Sequence, residues 1–317
     1  MVQKGAKAVF VKIVRSDGEV FGGFDDSLHG SYGWNIGCGT DWSIPEDAFE
    51  NFANLAHNVQ TSANVLRDGS SLISRRIEET DRTIKLVYGG SKPDAARSYA
   101  LSFFNPRYEF ELHVKYRGNA RWCAGVQAGF ESPADNVHKS PELTWTLLCL
   151  NPFWRSENDH GEHFAEAKPR FGFPYVSHMR KKRADGVKLP VGAPVSTLVY
   201  DGKNTVFNGG DVPCYYRVRC EFFADIANPV FTKNEKRVKV ADQFKRGDVL
   251  IIDFEASPPT VTKNGVNCIQ KCTRDSNFTG MELQIGTNSF QYSCDDATNK
   301  RAFMQVQLIY NDLFLGI

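Results

Sequence analysis

Arg246-Gly-Asp-Val-Leu-Ile-Ile-Asp253 puts a charged, glycine-containing turn directly before a run of β-branched and aliphatic residues, and the pattern repeats through residues 207–317. Asn208-Gly-Gly-Asp-Val-Pro213 opens a strand, Asn228-Pro229 breaks one, Lys263-Asn-Gly265 turns a hairpin, and Ile285-Gly-Thr-Asn288 precedes another strand. Residues 303–310 form a last strand before the apolar tail Leu313-Phe-Leu-Gly-Ile317. Glycine and asparagine supply the left-handed backbone that tight turns need, and the intervening alternation suits half-buried strands. From about Leu198 onward the pattern is nearly pure β. Alternation puts Tyr216, Val218, Cys220 and Phe222 on one face as core, and leaves Tyr215 on the other.

Upstream the pattern is mixed. Residues 9–14 alternate, Ser16-Asp-Gly18 turns, and Val20-Phe21 completes a short hairpin. Residues 22–39 read as loop. Ser43-Ile-Pro-Glu46 has capping-box spacing, with Phe49, Phe52, Ala53, Ala56 and Val59 at helical spacing, which predicts a helix over residues 45–58. A strand pair is expected across residues 71–88. A second capping box, Ser91-Lys-Pro-Asp94, leads into Ala95, Ala96, Tyr99, Ala100 and Phe103 on one helical face, stopped by Asn105-Pro106. Strands resume at residues 108–116, 122–130 and 143–150. Residues 155–194 lose periodicity and carry four prolines, so they read as an inter-domain connection.

The 317 residues suit two domains, since single domains commonly run about 100–200 residues. The division falls into residues 1–160 and residues 161–317, the second including a linker over about 161–194. With 38 basic and 37 acidic side chains the chain has no global field to draw in nucleic acid or an anionic membrane. Neither an apolar leader core nor a run near the roughly 18 apolar residues of a membrane span is visible. The expectation is a soluble chain made in a cytoplasm. The eight cysteines therefore read as reduced, buried thiols ahead of disulfides.

Other motifs are weaker. Asp159-His-Gly-Glu-His163 holds three metal-ligand types but sits in what reads as flexible linker, so no metal site is assigned. Arg246-Gly-Asp248 reads as turn chemistry before it reads as an adhesion motif. Asn277-Phe-Thr279 fits a glycosylation sequon without a secretion signal, and Arg180-Lys-Lys-Arg183 is a solvated basic run. No nucleophile elbow, phosphate loop or dinucleotide fingerprint occurs, so no catalytic or cofactor-binding residue is assigned.

The order and spacing of the C-terminal turns resemble the C-terminal β-domain of bacteriophage distal tail proteins. The signature residues are Asn208, Gly209, Asp211, Pro213, Asn228, Pro229, Gly247, Asp248, Gly286 and Asn288. Leu150-Asn-Pro-Phe-Trp154, with Asn151, Pro152, Phe153 and Trp154, is similar to the signature that closes the N-terminal domain in the same siphophage tail-component family. The resemblance implies a mainly β chain: an N-terminal β-sandwich-like domain with one or two helices, then a C-terminal galectin-like β-sandwich. It implies a structural virion protein without enzymatic activity or cofactor, synthesised in the bacterial host's cytoplasm and placed at the tail tip or baseplate. Its implied assembly is a homo-hexameric ring. Implied partners are the tail tube protein, the tail-tip hub or tail-associated protein, and receptor-binding or baseplate proteins, with neither sequence-specific nucleic-acid binding nor membrane insertion. The hairpin over residues 9–21 and the strand over residues 143–150 are candidates for the ring surface. A carbohydrate-binding module of a host-adhesion component is the alternative, followed by a tail-associated glycan hydrolase. Glycan binding by a monomer, or turnover lost on one Asp or Glu substitution, would separate them.

Overall fold

A computed structural model describes residues 9–22, 36–37, 41–63, 68–116, 118–133, 140–157, 159–163, 165–169, 196–200, 204–295 and 303–317. The basic run at residues 180–183 and most of the linker and early loop lie outside these. The chain forms two compact units, residues 1–158 with 312–317, and residues 159–311.

The first unit contains β1 (Phe10–Arg15), β2 (Val20–Gly22), β3 (Ile36–Gly37), β4 (Trp42–Ser43), β5 (Phe49–Glu50), β6 (His57–Ala63), β7 (Ser70–Ile77) and β8 (Thr80–Tyr88). Helix α1 (Pro93–Phe103) follows, then β9 (Glu109–Tyr116), β10 (Asn119–Glu131), β11 (Glu142–Cys149) and β12 (Trp154–Ser156). The main sheet runs β11-β8-β4-β3-β1-β9-β10, and β10 pairs back onto β11, so the strands close on themselves. Closure removes edges that would otherwise be exposed. Inside lie Val11, Ile13, Phe21, Trp42, Ile84, Leu86, Phe110, Leu112, Trp145 and Leu147, with Ala96, Ala100 and Phe103 of α1 packed against them.

Several expectations change here. Residues 45–58 are not helical: Asn51 is left-handed at φ 60°, β5 pairs with β8, and Ala53, Ala56 and Val59 are exposed. Phe49 and Phe52 instead pack with tilted rings at 4.6 Å, three residues apart across a bend. The cap of α1 is Lys92, and it makes no side-chain cap hydrogen bond, so the box at residues 91–94 is not formed. β7 and β8 do not pair with each other. β7 pairs with β6 in a separate hairpin, while β8 joins the main sheet. Of the strands expected to form the ring surface, β1 lies between β9 and β2 or β3 and β11 lies between β8 and β10, whereas β2 pairs with β1 alone among the described residues.

The second unit contains β13 (His160–His163), β14 (Ala165–Pro169), β15 (Ser196–Tyr200), β16 (Asn204–Asn208), β17 (Tyr216–Phe222), β18 (Ile226–Ala227), β19 (Val230–Lys233) and β20 (Lys236–Lys239). It continues with β21 (Gln243–Phe244), β22 (Val249–Asp253), β23 (Thr260–Lys263), β24 (Val266–Asn267), β25 (Gly286–Ser293) and β26 (Met304–Tyr310). Two sheets, β13-β26-β17-β22-β23-β24 and β16-β25-β19-β20, form a sandwich. Tyr216 of one meets Phe290 of the other at 6.2 Å, edge to face. The face with Tyr216, Val218, Cys220 and Phe222 is buried. Part of the expected linker is strand: β13 pairs with β26, and β14 with β15.

A final strand, β27 (Leu313–Phe314), pairs with β12 in the first unit. The sequence division assigned this tail to the C-terminal domain. The chain is mainly β, in sandwich-like units, as expected.

Candidate functional site

The signature at residues 151–154 is a strand entry held from several sides. Asn151 Oδ1 accepts the Phe153 backbone N–H at 3.1 Å, an Asx turn. Pro152 is buried and its carbonyl accepts Arg82 Nη2 at 2.5 Å. Trp154 is fully buried, and its Nε1–H donates to the Phe52 carbonyl at 2.9 Å. Phe52 packs on its ring at 5.4 Å, and the Arg82 guanidinium lies 4.1 Å from the ring centre. β27 covers this strand in the register Trp154↔Phe314 and Arg155↔Leu313. Arg121 supports the cover by donating to the Gly316 carbonyl and lying over the Phe314 ring. Phe153 is half-buried. With Pro152, His57, Val59, Arg75, Arg76 and Ile77 it lines an open cleft of about 590 Å³ at the root of the β6–β7 hairpin.

The C-terminal signature residues brace turns. Buried Asn208 donates to the Val212 and Leu283 carbonyls at 3.1 and 3.0 Å and accepts the Gly210 N–H at 2.9 Å. Gly209, Asp211 and Pro213 lie exposed along the same loop. Asn228 adopts φ 53° and donates to Asp295 at 2.5 Å, while the Pro229 carbonyl accepts the Val240 N–H at 3.0 Å. Asn288 is buried and clamps its own turn: its amide donates to the Gln284 and Gly286 carbonyls, and its oxygen accepts the Gln284 N–H. Gly286, at φ +86°, takes a backbone conformation that a side chain would strain.

Gly247 and Asp248 form a third such turn. Asp248 Oδ2 accepts the Lys245 N–H at 2.9 Å and its Oδ1 accepts the Asn264 amide at 2.8 Å, with Lys263 Nζ at 3.3 Å. These bonds, the Lys245 N–H first, hold its carboxyl below the usual range. The carboxylate of Arg246-Gly-Asp248 is therefore engaged by its own turn, which supports turn chemistry over adhesion. Asp159-His-Gly-Glu-His163 lies on and beside edge strand β13, where His160 stacks on Tyr310 at 5.0 Å and Asp159 accepts the Asn311 amide at 2.7 Å. No metal-ligand cluster occurs among the described residues. Cys123, Cys149, Cys214, Cys220, Cys268, Cys272 and Cys294 are free thiols.

Two features escaped sequence reading. Arg82 is a fully buried cation on the core face of β8. Its parity with Ile84, Leu86 and Tyr88 was the available signal. The β6–β7 hairpin carries exposed Val59, Leu72 and Ile73, at 57, 59 and 63% exposure.

The class these residues define is a two-unit, mainly β chain, in which Asn151, Trp154, Asn208, Asp248 and Asn288 hold strand entries and turns. Comparison with known proteins sharpens it. Residues 209–312 match the family model described as Siphovirus-type tail component, C-terminal domain. Among solved structures, the chain is similar to the SPP1 Dit (gp 19.1) protein, described as a paradigm of hub adsorption apparatus in Gram-positive infecting phages. The identity is 8% and the TM-score 0.60, covering 96% of this chain and 99% of that one. A chain of the phage P2 baseplate in its activated conformation with Ca is also similar, at 9% identity and TM-score 0.47, covering 95% and 97%. No curated protein matches. The resemblance to phage distal tail proteins drawn from the sequence is borne out, and the SPP1 likeness shows a shared fold across nearly the whole chain.

Proposed function

We propose that this chain is a distal tail protein of a phage virion, closing into a homo-hexameric ring where the tail tube meets the tail tip or baseplate. The observation that carries the reading is the match of residues 209–312 to a siphovirus tail component. In this reading the ring joins the tail tube protein to the hub or tail-associated protein and to receptor-binding proteins, and acts by geometry without turnover. A closed ring repeats one heterologous pair of surfaces around an axis. The exposed apolar residues of the β6–β7 hairpin, beside the Phe153 cleft, supply one such surface. Mass photometry and negative-stain imaging of the purified chain, alone and with tube and hub proteins, test the proposal. Sixfold rings are expected; a chain that stays monomeric with both neighbours present overturns it.

A second reading, glycan binding by the C-terminal unit, rests on the exposed rings of Phe207, Tyr215 and Phe223. Exposed aromatic faces can stack on sugars. Binding of the isolated monomer to a glycan array, lost in Phe207→Ala, would favour it.

A further inference from the structure

Arg82 is wholly buried, yet it bonds a sulfur and a carbonyl. Its Nη1 donates to Cys149 Sγ at 3.3 Å, its Nη2 holds the Pro152 carbonyl, and its buried Nε has no acceptor. A guanidinium keeps its charge in proteins, and a buried charge without a counter-ion is costly. The group bonded to Arg82 that can become an anion is the Cys149 sulfur. Beside it, at 3.6 Å, lies Cys123 Sγ. The β10–β11 ladder sets this geometry: Cys149 follows the Val126↔Leu148 rung, and Cys123 lies on β10 three residues before Val126.

We propose that Cys123 and Cys149 are a buried dithiol that a hydroperoxide closes into a disulfide, with Arg82 as the counter-ion that makes Cys149 the attacking sulfur. The two thiols are not equivalent. The hydrogen bond between Cys149 and Cys123, with Arg82 alongside, holds Cys149 below the ordinary thiol range, while burial pushes Cys123 well above it. Thiolate character selects the attacking cysteine. In the first step the Cys149 thiolate attacks the terminal oxygen of hydrogen peroxide. The O–O bond breaks, hydroxide leaves and takes a proton from solvent, and Cys149 becomes a sulfenic acid. In the second step the Cys123 sulfur attacks Cys149 sulfur as its proton departs. The S–O bond breaks, the hydroxyl leaves with that proton as water, and an S–S bond forms. Overall two thiols and one peroxide give one disulfide and two waters. To bond, the sulfurs close from 3.6 Å to about 2.05 Å.

Cys220 supplies an internal control, being equally buried and pushed up by that burial. The full-length chain is treated with hydrogen peroxide, the remaining thiols are alkylated after denaturation, and peptides are mapped by mass. Expected are joined Cys123 and Cys149 peptides, with Cys149 reacting at least tenfold faster than Cys220. Cys123→Ser should stop at a Cys149 sulfenic acid trapped by dimedone, and Cys149→Ser should abolish the fast reaction. Equal rates at Cys149 and Cys220, or both thiols of the pair surviving a dose that oxidises Cys220, overturn the proposal. The wild-type map decides this even where a variant fails to fold.

Discussion

Trp154 places its indole N–H on the Phe52 carbonyl and its ring face under Arg82, so truncation removes packing, a hydrogen bond and a cation's resting surface together. Trp154→Ala is expected to cost about 3–5 kcal/mol, read from urea denaturation. Asn208→Ala loses three hydrogen bonds around one buried amide, and roughly 1–3 kcal/mol is expected by the same measurement. Asp248 gives a pH-dependent test. Its folded carboxyl is held below the unfolded value, so its stabilisation is complete above about pH 4 and is lost as pH falls through the folded value. Asp248→Asn should therefore be less stable than wild type at pH 7, with the gap closing in acid. Parallel denaturation curves at pH 7 and pH 2.5 check this; a gap unchanged by pH would remove the carboxylate from the account.

The β6–β7 hairpin is the element whose composition and environment disagree. Two-stranded hairpins are marginal alone in water, and this one turns Val59, Leu72 and Ile73 outward. Replacing all three by serine should leave the melting temperature nearly unchanged, because exposed positions contribute little to folding. It should reduce assembly into the proposed ring, read by analytical ultracentrifugation. Unchanged assembly would move the ring contact elsewhere. This hairpin also shows where sequence reading runs out. Alternation betrays a strand only when its two faces differ, and both faces here are largely exposed, so its partner could not be read. At β17 the faces differ sharply, and Tyr216, Val218, Cys220 and Phe222 were legible as core. Phe49 and Phe52 misled because three-residue spacing fits a helix as well as a bend, and only the left-handed Asn51 between them decides. Arg82 was hidden by its chemistry: a charge reads as solvent-facing unless strand parity is allowed to outvote it. Asn228, Gly247 and Gly286 take positive φ, a local requirement that asparagine and glycine signal in the sequence, whereas the bond from Asn208 to the Leu283 carbonyl joins positions 75 residues apart and left no local trace.

At the scale of the whole molecule, residues 312–317 complete the first unit, although 153 residues separate them from Asn158. A fragment of residues 159–311 is expected to melt cooperatively as a β-rich monomer by circular dichroism. Deleting residues 312–317 from the full chain should destabilise the first unit, which loses the β12–β27 pairing and the Arg121 bond to Gly316. A second melting transition that stays put after this deletion would show the tail to be dispensable. The same connectivity has a consequence for exchange. The second unit begins and ends on paired strands, with His160 opposite Tyr310, so its entry and exit stand side by side. Such a segment is a cassette: a foreign module with adjacent termini, spliced between Asn158 and Asp312, would interrupt the host unit at one point only. A chain built this way can trade the insert for another while the sheet that receives it is left as it was.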